Sequence, residues 1–304
     1  MEFIDPRIKS QNFECAVKVL GGLVELDERA KERFLREAEI AVKAQHKNIV
    51  GAFGVGHDKE KAIDFFIMEL LKPVINLNKI SQPFSSGIVR HVGLSVLNAL
   101  EYIHGKGIVH RDIKPSNIMV CEDSEGDVII DEKRITIKLA DLGLAKAGES
   151  KNKITLSGTV MGTAAYMSPE QARGESATPK SDIYSLGASL YYISTGRLPF
   201  EGESAIATLS KVLNEESELP QSVNSKIPNW LQIYLMMSMA KDMEQRPDVL
   251  QSRVLLDNKK PDRILEEKIK FVEERIKLIK NPGKTQVLVS GAASSRALEG
   301  APLE

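Results

Sequence analysis

The stretch His110 to Asn117, HRDIKPSN, constrains this chain more than any other. It sets an acid two residues after a histidine, a lysine two after the acid, and an amide three further on. A strand-like apolar run, Ile118-Met119-Val120, follows it, and a second, Ile135 to Leu139, leads into Asp141-Leu142-Gly143. Phosphoryl transfer requires an acid near the attacking hydroxyl, a cation for the transferred group, and an amide plus a second acid for a divalent metal. Asp112, Lys114, Asn117 and Asp141 supply those four groups in that order. HRD or DLG alone is a weak signal; the octapeptide followed by DLG is a specific one.

Other segments fall into the same pattern. They are Ala16-Val17-Lys18, the FLREAE run containing Glu37, GTAAYMSPE (Gly162 to Glu170), SDIYSLG (Ser181 to Gly187) and Gln245-Arg246-Pro247. On these residues the chain resembles a eukaryotic-type (Hanks-type) serine/threonine protein kinase of the bacterial kind, from residue 13 to about 255. The resemblance implies an α+β, two-lobed fold. A small antiparallel-sheet lobe would span residues 1–71, a mainly helical lobe residues 72–257, and a helical tail with a disordered end residues 258–304.

The resemblance also implies roles. Asp112 would orient a Ser/Thr hydroxyl and accept its proton, and Lys114 would stabilise the phosphoryl in transit. Asn117 and Asp141 would hold Mg2+, whose hard charge suits oxygen ligands. Lys18, paired with Glu37, would reach the ATP phosphates, and the backbone of Glu69 to Leu71 would read the adenine edge next to Met68. His110 would pack beneath the catalytic loop, Asp182 would anchor that loop's backbone, and Glu170 would pair with Arg246. The implied activity is transfer of the ATP γ-phosphoryl to protein Ser/Thr hydroxyls.

Composition sets outer limits. A net charge of −1 in 304 residues leaves no electrostatic footprint for nucleic acid. Cys15 and Cys121 lack metal-site spacing and read as free thiols in a reducing compartment. The N-terminal MEFIDPRIK has no apolar core of signal-peptide length. No apolar run approaches the ~20 residues of a membrane span. The expected location is therefore the cytoplasm.

Periodicity places the remaining elements. Alternation predicts a strand at residues 13–20, and residues 49–56 and 63–69 read as two more. A helical stripe runs from about Asp27 to Ala44, and another from Ser86 to His104. Residues 72–85, with Pro73 and Pro83, read as a linker with a short helix at most. Helices are expected from Asp182 to Ile193, where Gly187 and Ala188 permit close approach, and over 204–214 and 229–239. In the tail, Leu265, Ile269, Val272, Ile276 and Ile279 repeat at four and three, a stripe that fits either packing on the kinase body or a dimer.

Three segments depart from a simple kinase. Asp141 follows Asn117 by 24 positions, longer than the family's usual connection, and residues 122–134 (EDSEGDVIIDEKR) read as an acidic surface hairpin rather than a calcium loop. The segment from Asp141 to Glu170 offers Thr159, Ser157 and Thr155 as self-phosphorylation sites, with Arg111 as the cation a phosphate would recruit. No glycine precedes Lys18, so the glycine-rich phosphate loop is missing; Phe3-Ile4 reads as a remnant of the strand before Lys18 and Asp5 to Asn12 as its turn. The sequence would then be N-terminally truncated or have lost the loop, with weakened ATP affinity and an exposed sheet edge. The rival reading is a catalytically impaired pseudokinase acting as a scaffold.

Overall fold

A computed structural model describes residues 3–4, 14–20, 42, 45–58, 63–72, 74–123, 126, 128–130, 133–141 and 161–280. The chain separates into two compact units, Met1–Lys260 and Pro261–Glu304. The expected helix over 27–44 with Glu37, the turn 5–12, the loop residues Thr155, Ser157 and Thr159, and the end 284–304 lie outside the described residues, Val42 excepted.

The first unit opens with a four-stranded antiparallel sheet. Its strands are β1 (Phe3–Ile4), β2 (Cys15–Leu20), β3 (Ala52–Asp58) and β4 (Ile63–Glu69), in the order β1-β3-β4-β2. The β2–β4 register sets Lys18 opposite Phe66 and Ala16 opposite Met68. Among the described strands β2 is an edge strand, and Val17 and Val19 are 58% and 61% exposed. Phe3-Ile4 corrects one expectation. It pairs with Val55 and Gly54 on the opposite edge of the sheet, so it does not precede the lysine strand in the ladder. A two-residue apolar strand gains backbone bonds wherever an unpaired edge lies open, and β3 offers one.

The second sheet is built from β5 (Val74–Asn76), β6 (Ile118–Glu122), β7 (Val128–Ile130) and β8 (Lys133–Leu139), in the order β5-β6-β8-β7. β5 corrects the linker expectation: Val74 to Asn76 pair with Cys121 to Met119 because β6 presents a free ladder edge there. The acidic insertion supplies β7, which folds back antiparallel on β8 as a hairpin. Segment 46–50 stitches β8 to the first sheet's side of the unit. Leu139 N–H donates to Asn48 O at 2.8 Å, Val50 N–H to Leu139 O at 3.0 Å, and the Asn48 amide to Ile137 O at 2.8 Å.

The helical part comprises α1 (Ser86–His104), α2 (Pro179–Thr195), α3 (Ala205–Asn214), α4 (Asn229–Ser238) and α5 (Val249–Leu256), with single helical turns at 161–164, 169–172 and 220–223. Ser85 caps α1 by accepting from Ile88 N–H, and the stripe Val89, Val92, Val96, Leu97, Leu100 and Ile103 is buried, as its spacing predicts. α2 is buried on almost every side. Pro179 begins it, a Thr178–Ser181 capping box closes its first turn, and Gly196 at φ +77° ends it. A helix buried on nearly every side sits at the centre of a core, and α2 carries Asp182 there along with buried serines. Burial pushes the Cys121 thiol up to about 11, which keeps it a protonated core group.

The second unit is described as one helix, α6 (Arg263–Lys280), with Leu265, Val272 and Ile276 buried and Ile264, Phe271 and Ile279 exposed. Among the described residues no helix is long and apolar enough to cross a membrane.

Candidate active site

The site gathers where the loop 110–117 meets the end of β8. Asp112 stands at its centre. Its carboxylate Oδ2 lies 3.0 Å from Lys114 Nζ, and the same oxygen accepts from Asn117 Nδ2 at 3.0 Å. Asn117 Nδ2 also donates to the Asp112 backbone carbonyl at 2.8 Å. With its amide nitrogen committed to Asp112, Asn117 keeps its side-chain oxygen for a cation.

Asp141 is brought alongside by its neighbour. Ala140 N–H donates to Asn117 O at 2.8 Å, and His110 Nε2 donates to Ala140 O at 3.0 Å. His110 Nδ1 accepts from Asp112 N–H at 3.3 Å, which fixes the Nε2–H tautomer. Burial lowers the pKa of His110, outweighing the carboxylates of Asp182, Asp112 and Asp141 that raise it. The ring is thus a neutral strut beneath the loop, as expected from the sequence.

Asp182 reaches the loop from α2. Its Oδ2 accepts from His110 N–H at 2.8 Å and its Oδ1 from Arg111 N–H at 2.9 Å. His104 Nε2 lies 2.7 Å from the same Oδ2. Arg111 and Asp141 both sit in the left-handed region, at φ +68° and +57°. Non-glycine residues persist there only where their surroundings over-determine them, and such positions cluster at functional sites.

Lys18 Nζ, from β2, lies 2.6 Å from Asp141 Oδ1, with both side chains more than a third exposed. The structure therefore pairs Lys18 with Asp141; its expected partner Glu37 lies outside the described residues. Glu69 is committed elsewhere: its carboxylate takes Lys138 Nζ at 3.0 Å and Gly51 N–H at 2.9 Å. Its backbone N–H is taken as well, donating to Gly51 O at 2.8 Å. Glu170 and Arg246 form a buried pair at 2.7 and 2.9 Å, and Ser181 Oγ donates to Glu170 at 2.6 Å.

Three contributors escaped the sequence reading. Asn48 and Lys138 hold β8 and the end of β4 in place, and Gln171 bonds the loop 110–117 at the Arg111 carbonyl. Asn and Gln act here through amide geometry, which leaves no pattern in a sequence. The donor set fits Mg2+: an amide oxygen and a carboxylate are hard ligands, and two of them suit an ion that shares its shell with phosphate oxygens.

This loop, strut and lysine arrangement defines a class. The protein kinase domain model matches residues 7–261, and the chain belongs to that family. It is 35% identical over 236 residues to a probable serine/threonine-protein kinase PknB of Lactococcus lactis subsp. lactis, covering 76% of this chain and 35% of the relative. It is 36% identical over 234 residues to serine/threonine-protein kinase PrkC of Bacillus subtilis, covering 75% and 34%. The chain thus spans about a third of the length of these relatives. A double mutant of the Mycobacterium tuberculosis PknI kinase domain superposes with a TM-score of 0.60 at 20% identity, covering 86% of this chain and 87% of that one, which shows the two-lobed kinase fold.

Proposed function

We propose that this chain is a protein-serine/threonine kinase domain that transfers the γ-phosphoryl of ATP to Ser/Thr hydroxyls of proteins, in the cytoplasm. The reading rests on one observation above the others: Asp112 is bonded at once by Lys114 and Asn117, with Asp141 fixed next to Asn117 through Ala140. Relatives named as serine/threonine kinases support it.

In this reading Asp112 orients the substrate hydroxyl and takes its proton as the new O–P bond forms and the β–γ bridging bond breaks. Lys114 and Lys18 supply positive charge to the phosphoryl group and to the nucleotide phosphates. Asn117 and Asp141 hold Mg2+, which when bound neutralises phosphate charge. Positioning and fixed charge carry most of such catalysis, so loss of any one of these groups is severe. The backbone of Glu69 to Leu71 takes the adenine edge. Thr159, Ser157 and Thr155 remain the proposed self-phosphorylation sites, and the tail helix a proposed dimer contact.

The test is transfer from labelled ATP with Mg2+, to the chain itself and to a generic Ser/Thr substrate. Asp112→Ala and Asp141→Ala serve as controls. Transfer by the wild type that falls at least about 1,000-fold in both variants, with unchanged melting, is the expected result. Failure to transfer together with failure to bind Mg-ATP would favour the scaffold reading, and a fully active Asp141→Ala variant would remove the assignment.

A further inference from the structure

Arg111 precedes the proposed base and holds a strained backbone. Two side chains from distant elements grip it. Asp182 Oδ1 accepts from its N–H at 2.9 Å, and Gln171 Nε2 donates to its carbonyl at 3.0 Å. The Gln171 amide is oriented without ambiguity. Its Oε1 accepts from Ser168 N–H at 3.1 Å and from Ser168 Oγ at 3.0 Å, which leaves Nε2 as the donor that a carbonyl requires.

The two grips share one frame. Glu170, next to Gln171, accepts from Ser181, next to Asp182, at 2.6 Å. Arg246 locks Glu170 from the other side. The helical turn 169–172 is therefore fixed to α2, and each element sends the adjacent side chain to one end of the Arg111 peptide. Asp112 follows directly, its own N–H on His110 and its carbonyl on Asn117.

We propose that Gln171 is a positioning residue for the transfer reaction, holding the Arg111 carbonyl and so coupling the Ser168–Gln171 turn to the placement of Asp112. The proposal rests on the kinase reading above for its catalytic consequence. Its structural half stands without it. A side chain off by about 1 Å from its productive place can cost a hundredfold in rate, so one lost anchor beside the base matters.

Gln171→Glu is the discriminating variant. It keeps the acceptor that closes the capping box with Ser168 and replaces the N–H aimed at the Arg111 carbonyl by a charged oxygen that cannot donate. Gln171→Ala removes both. Hydrogen exchange of the Arg111 and Asp112 amides is read first, without turnover. About tenfold faster exchange in Gln171→Glu, at a melting temperature within 1–2 °C of wild type, is expected. In the transfer assay kcat should fall about tenfold with KM for ATP unchanged. Unchanged exchange, or unchanged kcat in an active wild type, overturns the proposal. A fall in melting temperature with intact kcat would show a capping role only, and also overturns it. An inactive wild type would count against the kinase reading, while the exchange result would still decide the anchor.

Discussion

Glu170 and Arg246, 76 positions apart in the chain, meet as a doubly hydrogen-bonded ion pair that solvent does not reach. The guanidinium also donates to the carbonyls of Ala240, Lys180 and Lys241, and Ser181 completes the carboxylate's partners. Burial raises the cost of two charges, and only this complete set of bonds offsets it. Glu170→Ala leaves the guanidinium buried without its counter-charge. The expected loss is about 3–5 kcal/mol, read as a lower midpoint in urea unfolding. An unchanged midpoint would refute the pair's structural role.

The same carboxylate predicts acid sensitivity. Burial pushes its pKa up, but the bonds from Arg246 and Ser181 win and hold it near 2, against 4.5 unperturbed. A carboxyl depressed in the folded state stabilises fully above its unfolded pKa and loses that contribution as pH falls toward the folded value. Between about pH 4.5 and pH 2 this group should forfeit about 3 kcal/mol. Unfolding titrated over that range should be steeper in the wild type than in Glu170→Gln.

At Gly187, α2 comes close to α4. A Cβ there would stand 2.6 Å from Ser238 Cβ, an atom fixed to its own helix backbone. Alanine improves helix propensity by up to ~1 kcal/mol, but overpacking costs ~1–3 kcal/mol, so the clash should win. Gly187→Ala is expected to destabilise by about 1–2 kcal/mol in denaturant unfolding. A stabilised variant would mean that the helices separate at little cost.

Lys18 should behave in the opposite way. Its bond to Asp141 is short, yet both groups are more than a third exposed, and such pairs contribute at most about 1 kcal/mol. Lys18→Met should therefore melt like the wild type while its ATP affinity falls about tenfold or more, a loss typical for a charge-assisted phosphate contact. Calorimetric titration with Mg-ATP measures it, and unaltered binding would remove Lys18 from the nucleotide site.

The chain's linear pattern carried much of this. Strand β4 (Ile63–Glu69) and helix α1 (Ser86–His104) have the bounds that the sequence assigns to them. Asp112, Lys114 and Asn117 read as a unit because a short loop forces neighbours in sequence to be neighbours in space. The place of Phe3-Ile4 in its sheet and the strand Val74–Asn76 were not legible. Short apolar segments take the edge that the rest of the fold leaves open, and no local pattern names that edge.

Residue chemistry along the chain determined which groups could act: the acids, the lysines and the amide. Tertiary structure alone decided what holds them. The Arg111 peptide is clamped by Asp182 and Gln171, β8 is tied by Asn48, and Glu69 is turned aside by Lys138. These are side-chain bonds between residues distant in sequence, whose energy depends on direction within tenths of an ångström. A sequence states which donors and acceptors exist; only the packed chain aims them.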